Sequence, residues 1–178
     1  MAALERPGSS AALRIFGALV PLFCGLLGVF IANIPGSILG GAVPPPLLGL
    51  VPIYFWCLVR PDLMTPAAAL TIGIAEDIAS GGPPGVWTLA FVLTYALVAR
   101  QRDSFAGLSG LVAVVGFGAA ASITCASAYF TIAALYWHFP PLAPILSELA
   151  MTVLFYVPTV YVAGMIHHRL VGASRSDI

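Results

Sequence analysis

All of the dependable basic charge in this chain is arginine, and the arginines occupy only every second gap between its apolar segments. There is no lysine. Of the seven arginines, Arg6 and Arg14 precede the first apolar segment and Arg60 lies between the second and third. Arg100 and Arg102 lie between the fourth and fifth, and Arg169 and Arg175 follow the sixth. The remaining gaps, Pro35–Pro46, Gly81–Gly85 and His138–Pro144, hold none. Short cytoplasmic loops retain Lys and Arg, and short exported loops do not. The alternation therefore predicts six spans with both termini in the cytoplasm; an odd number would scatter the arginines over both sides.

The composition agrees. Hydrophobic residues make up 60% of the 178 residues and charged residues 8%, against about 25% charged in a soluble domain. So few charges cannot cover a water-facing surface, which makes lipid the expected solvent. The expected division is a short tail over 1–13, a membrane domain over 14–168 and a second short tail over 169–178. The balanced charge points to no nucleic-acid partner and no polybasic patch. Cys24, Cys57 and Cys125 lie inside apolar segments and read as small hydrophobes. They include no CxxC pair and suggest no disulfide framework. The first apolar run, about 20 residues, exceeds the 7–15 of a signal-peptide core and is expected to be a retained helix.

The spans are expected at Ile15–Ile34, Leu47–Val59, Thr65–Ser80, Val86–Ala99, Leu108–Trp137 and Leu142–Ile166. The first covers ~30 Å at ~1.5 Å per residue, enough for the hydrocarbon core. The second contains Pro52 and is expected to begin within the proline loop or to kink. Pro66 falls in the first turn of the third, where its missing N–H costs nothing. The second to fourth spans are short for a full crossing, so the bilayer thins around them or neighbouring protein shields them. The fifth, ~45 Å if unbroken, must tilt, break or project. Tyr136, Trp137 and Trp87 fall at the exported boundaries, where aromatic belts are expected.

Ionisable residues within spans are costly and are functional candidates by default. Glu76 and Asp77 lie late in the third span, where adjacent positions ~100° apart on a helix would turn one carboxyl to the bundle and the other to a partner or lipid. Gly73, Asp77 and Ser80 share a face. Asp77 either caps the Gly81–Gly85 turn or serves an ion, a proton or a partner. Glu148, in the sixth span, is expected at similar depth with no arginine in reach. Arg60 and Asp62 flank Pro61 and either pair or form a cytoplasmic contact. Gly118 and Ser122 make a small-xxx-small pair suited to close helix packing. His138, His167 and His168 are scattered and do not have the spacing of a metal site. No nucleophile–base motif or phosphate loop occurs, so neither catalysis nor a cofactor is expected.

The stretch Tyr54-Phe55-Trp56-Cys57-Leu58-Val59-Arg60-Pro61-Asp62-Leu63, followed by Gly73, Asp77, Gly81 and Pro84-Gly85, resembles the MreD family of rod-shape-determining membrane proteins. The resemblance covers about residues 47–100, and the rest of the chain fits by layout. It departs from the family pattern in Pro84, where an apolar residue is usual, and in Glu76 beside Asp77. The resemblance implies an all-α polytopic membrane protein, a six-helix transmembrane bundle similar to the substrate-binding subunits of energy-coupling-factor vitamin transporters. It implies a non-enzymatic component of the bacterial cell-elongation machinery, in the inner membrane. The implied partners are an MreC-like periplasmic scaffold, a RodA-type glycosyltransferase with its transpeptidase, and MreB. The similarity in fold leaves a second function open, that of a small-molecule-binding transporter subunit; a subunit that only stabilises its complex is a third.

Overall fold

A computed structural model describes residues 7–34, 44–102 and 111–167. Among them the chain is all helical, with six helices: α1 Pro7–Ala32, α2 Leu50–Val59, α3 Pro66–Ser80, α4 Val86–Arg100, α5 Leu111–Tyr136 and α6 Leu142–Ile166.

Local sequence explains where the central helices start and stop. Thr65 caps α3 by accepting the Ala68 amide at 3.2 Å, and Pro66 opens the helix. Gly81 ends α3 in the left-handed region, φ 65°, and Gly85 opens α4 at φ 93°, conformations that a Cβ disfavours. Helix α2 starts after the proline segment, not within it, and Pro52 occupies its first turn. An amide there has no intrahelical partner in any case, so the expected kink has no cause. Pro21 does lie inside α1, where it removes one backbone bond.

Helix α2 is apolar all round, the pattern of a helix buried on every side. Leu50, Val51, Ile53, Tyr54, Trp56 and Cys57 are all in the core. It packs against α1, α4, α5 and α6, while α1, α3, α4, α5 and α6 each pack on the next. The bundle is thus an arc of five helices around a short central one. Aromatic rings knit the centre to the last two helices: Tyr54 meets Phe117 edge-on at 5.4 Å, and Phe117 stacks on Tyr156 at 4.2 Å. Between α4 and α5 the buried Thr94 and Thr124 hydroxyls bond at 2.8 Å, and Thr124 passes its own proton to the Ala120 carbonyl at 3.0 Å.

Among the described residues, two helical stretches are long and apolar enough to cross a membrane, Val112–Tyr136 and Leu142–Ile166. Leu50–Val59 and Val86–Arg100 are apolar but shorter, and Leu19–Ala32 is the apolar part of α1 whose side chains are described. The fifth helix is continuous over its 26 residues, so the break expected as one option does not occur. The first helix begins at Pro7, before the expected Ile15 and within the expected tail. Arg6, Arg169, Arg175, His168, Gly107, Leu108, Gly110 and most of the Pro35–Pro46 segment lie outside the described residues.

Close helix contacts fall elsewhere than expected. A Cβ on Gly118 would find its nearest neighbour, Val153, at 3.9 Å. Ser122 is exposed and bonds back to the Gly118 carbonyl at 2.8 Å. The Gly118–Ser122 pair is therefore no close-packing site within the chain. Tight approaches to backbone are at Gly28, where a Cβ would lie 2.8 Å from the Leu48 carbonyl oxygen, and at Gly73, where it would lie 2.6 Å from the Thr88 Cα, while Gly25 and Gly49 lie as close to the Ile72 and Val29 side chains.

Candidate functional site

The polar side chains gather at the end of the bundle where α1 and α3 finish and α2, α4 and α6 begin. Asp77, in the last turn of α3, is the best-connected of them. Its Oδ2 accepts the backbone N–H of Gly85 at 2.9 Å and of Thr88 at 3.1 Å, together with the Thr88 hydroxyl at 2.5 Å. Its Oδ1 accepts the Trp87 N–H at 2.8 Å. These amides belong to the N-terminus of α4, whose cap residue, Gly85, has no side chain to offer. The preceding helix supplies the cap instead. A carboxyl group here also faces the positive end of the α4 dipole. Gly73, one turn earlier on the same face, lets α3 approach α4 closely enough for the four bonds to form. Gly73, Asp77, Gly81 and Gly85 thus act together: close approach, cap, helix stop and helix start. Of the options that the sequence left for Asp77, the observed geometry is that of the turn and cap.

Glu76 does not face away, as adjacent positions on a helix suggested. It is 2% exposed and Asp77 7%. Both are enclosed because α3 has neighbours on two sides, α4 against Asp77 and α1 against Glu76. Glu76 Oε1 accepts from Asn33 Nδ2 at 2.9 Å, and that amide also donates to the Val29 carbonyl at 3.0 Å. Glu76 Oε2 is buried with no hydrogen-bond partner among the described residues. Glu148, half-buried on α6, lies within electrostatic reach of Glu76. One turn on, the Thr152 hydroxyl donates to the Glu148 carbonyl at 2.7 Å and accepts the Leu47 N–H at 2.9 Å, fastening the start of α2 to α6.

At the opposite end, Arg60 and Asp62 pair in the α2–α3 turn, Nε to Oδ1 at 3.0 Å and Nη2 to Oδ2 at 2.9 Å. The Asp62 hydrogen bond holds the Arg60 guanidinium above its ordinary pKa. Nearby, Trp56 Nε1 is buried without a hydrogen-bond partner among the described residues, and its ring meets that of His167 at 5.4 Å.

The structure thus joins Gly73, Asp77, Gly81 and Gly85 into one unit and leaves Glu76 and Glu148 within electrostatic reach of each other. It keeps Arg60 and Asp62 apart from both, and Gly118 and Ser122 outside any polar site. Thr88 and Thr152 were not singled out by sequence reasoning. Thr88 carried a usable signal, because it stands three residues past Gly85 at a position whose amide a cap satisfies. No known protein family, curated protein or solved structure matches this chain.

Proposed function

We propose that this chain is an MreD-like protein: a six-span, non-enzymatic component of the bacterial cell-elongation machinery in the inner membrane, with both termini cytoplasmic. On this reading it binds an MreC-like scaffold through its lipid-facing helices and links it to wall synthases and to MreB. The observation that carries the membrane part is the chemistry of the outside. Phe23, Phe30, Leu70, Ile74, Ile78, Leu93, Val115, Leu154 and Val162 are large, apolar and exposed, on five of the six helices. A bundle apolar both within and without is suited to lipid, and the arginine partition orients it. The family part rests on the resemblance over residues 47–100. The Gly73–Asp77–Gly81–Gly85 unit supports it, because those motif residues cooperate in one structural task.

Purification in mild detergent tests this reading. The expected result is co-purification of a single-span periplasmic scaffold, lost when the scaffold's membrane helix is removed. Equal recovery without that helix would place the interface outside the membrane. A second reading, a small-molecule-binding transporter subunit, is favoured by one observation, the buried Glu76 Oε2 without a hydrogen-bond partner among the described residues. Retention of a polar small molecule by the purified protein, with no scaffold bound, would decide for it.

A further inference from the structure

The hairpin joining α5 to α6 ends in Tyr136-Trp137-His138-Phe139. Trp137 is 95% exposed, and Leu135, Tyr136, Phe139 and Leu142 around it are exposed as well. The tip is built and not frayed. Trp137 holds φ 52°, a conformation that large side chains seldom adopt. Tyr129 braces it, donating its hydroxyl to the Pro140 carbonyl at 3.2 Å and stacking on Phe139 at 6.4 Å.

The tip also stands higher than the start of α4. Val86, the first residue of α4, packs in one cluster with Ile132 and Ile145. Helix α5 continues to Tyr136 before the tip begins, which carries Trp137 about one helical turn, roughly 5–7 Å, beyond the start of α4.

The chemistry of the tip selects its surroundings. Residues 104–147 contain no Asp, Glu, Lys or Arg, so a tip standing in water would hold its large apolar surface there with no charged side chain, only His138, the Tyr136 hydroxyl, the Trp137 N–H and backbone to solvate it. Trp, Tyr and His rings, apolar in body and polar at the edge, suit the boundary between head groups and acyl chains. Below the tip the α5–α6 seam opens into an apolar groove of about 270 Å³, lined in part by Tyr129, Phe130, Ile145 and Leu146, a surface fit for acyl chains.

We propose that the α5–α6 tip is an interfacial anchor in the outer leaflet, and that the first turn of α4, with Trp87, lies about one helical turn deeper. This rests on the six-span reading. It accounts for the four hydrogen bonds that Asp77 accepts from the start of α4: a helix start held below the head groups has little water to satisfy its amides.

Trp137 and Trp87 serve as native depth reporters, each isolated as the difference between the wild type and W137F or W87F. The full chain is reconstituted in phosphatidylcholine vesicles brominated either near the head group or far along the chain. Flotation after an alkaline wash first establishes insertion, so a protein that fails to float counts against the six-span reading itself. For protein that floats, the Trp137 emission is expected to be quenched most by bromines near the head group, and Trp87 by bromines farther down. Trp137 quenched by aqueous acrylamide and by neither lipid would overturn the proposal and make the tip a docking site for a periplasmic protein. Equal depth for both reporters would remove the step. A W137F protein that does not float is replaced by W137Y, which keeps an interfacial ring.

Discussion

At Asp77 one side chain serves three amides and a hydroxyl, so its replacement reports directly on how the α3–α4 turn is held. Asp77→Ala strands several donors that lipid cannot satisfy, and a loss of at least 1–3 kcal/mol is expected, about the cost of one buried unsatisfied group. Asp77→Asn should fall between the wild type and Ala, because its oxygen still accepts while its NH2 opposes a donor. Thermal unfolding in detergent checks the order, and Asn as damaging as Ala to cell shape, at normal protein levels and with the complex intact, would speak for a proton or ion at this residue. Glu76 differs in kind. Its Oε2 already lacks a partner among the described residues, so Glu76→Met should leave the unfolding midpoint unchanged or raised, as when buried ionic groups give way to apolar ones of similar size. If the same variant loses scaffold or ligand binding, Glu76 is retained for function. A drop of more than about 1 kcal/mol, the net worth of a typical hydrogen bond, would instead assign it to the fold.

Among elements, the α3–α4 hairpin separates true close contact from mere small size. Gly73→Ala sets a methyl 2.6 Å from the Thr88 Cα and is expected to cost about 1–3 kcal/mol through forced backbone movement. Gly118→Ala, with 3.9 Å of clearance, should be neutral; unfolding of both variants at matched expression tests the contrast. Much of this hairpin was legible in advance. Pro66 marks a helix start, Gly81 and Gly85 mark turns, and a carboxyl late in a span must find donors. Those signals are local. The close approaches at Gly28 and Gly73, the enclosure of Glu76 and the role of Thr152 were not legible, because each depends on which helix lies opposite. A run of small residues in α5 looks the same in sequence whether or not a neighbour presses on it.

For the whole molecule, the expected membrane orientation is testable without any partner. Single cysteines at Gly82 and Pro141, in a background where Cys24, Cys57 and Cys125 are replaced by Ala or Ser, should react with an impermeant maleimide added outside intact spheroplasts. Cysteines at Arg60 and Gln101 should react only after lysis. Labelling of Gly82 from the inside would remove the central hairpin from the topology. The native cysteines must be replaced for a clean signal, although Cys57 and Cys125 are buried.

The central position of α2 bears on how the chain is made. Its 10 residues reach only ~15 Å, half of the ~30 Å hydrocarbon core, and a lone helix of that length is a poor tenant of a bilayer. Ribosomes deliver it before four of the helices that form its arc, and its first anchored amide, Leu47, waits for a hydroxyl 105 residues later in the chain. On the six-span reading, α2 shelters during synthesis beside α1 or the insertion machinery until α6 arrives to latch it. Thr152→Val, nearly the same in shape, removes the latch without emptying the space. The expected result is a nascent protein more exposed to membrane quality-control proteases, with a shorter half-life in pulse–chase even where the matured bundle melts near the wild-type temperature. Biogenesis, rather than equilibrium stability, would then be the process most sensitive to this single hydroxyl.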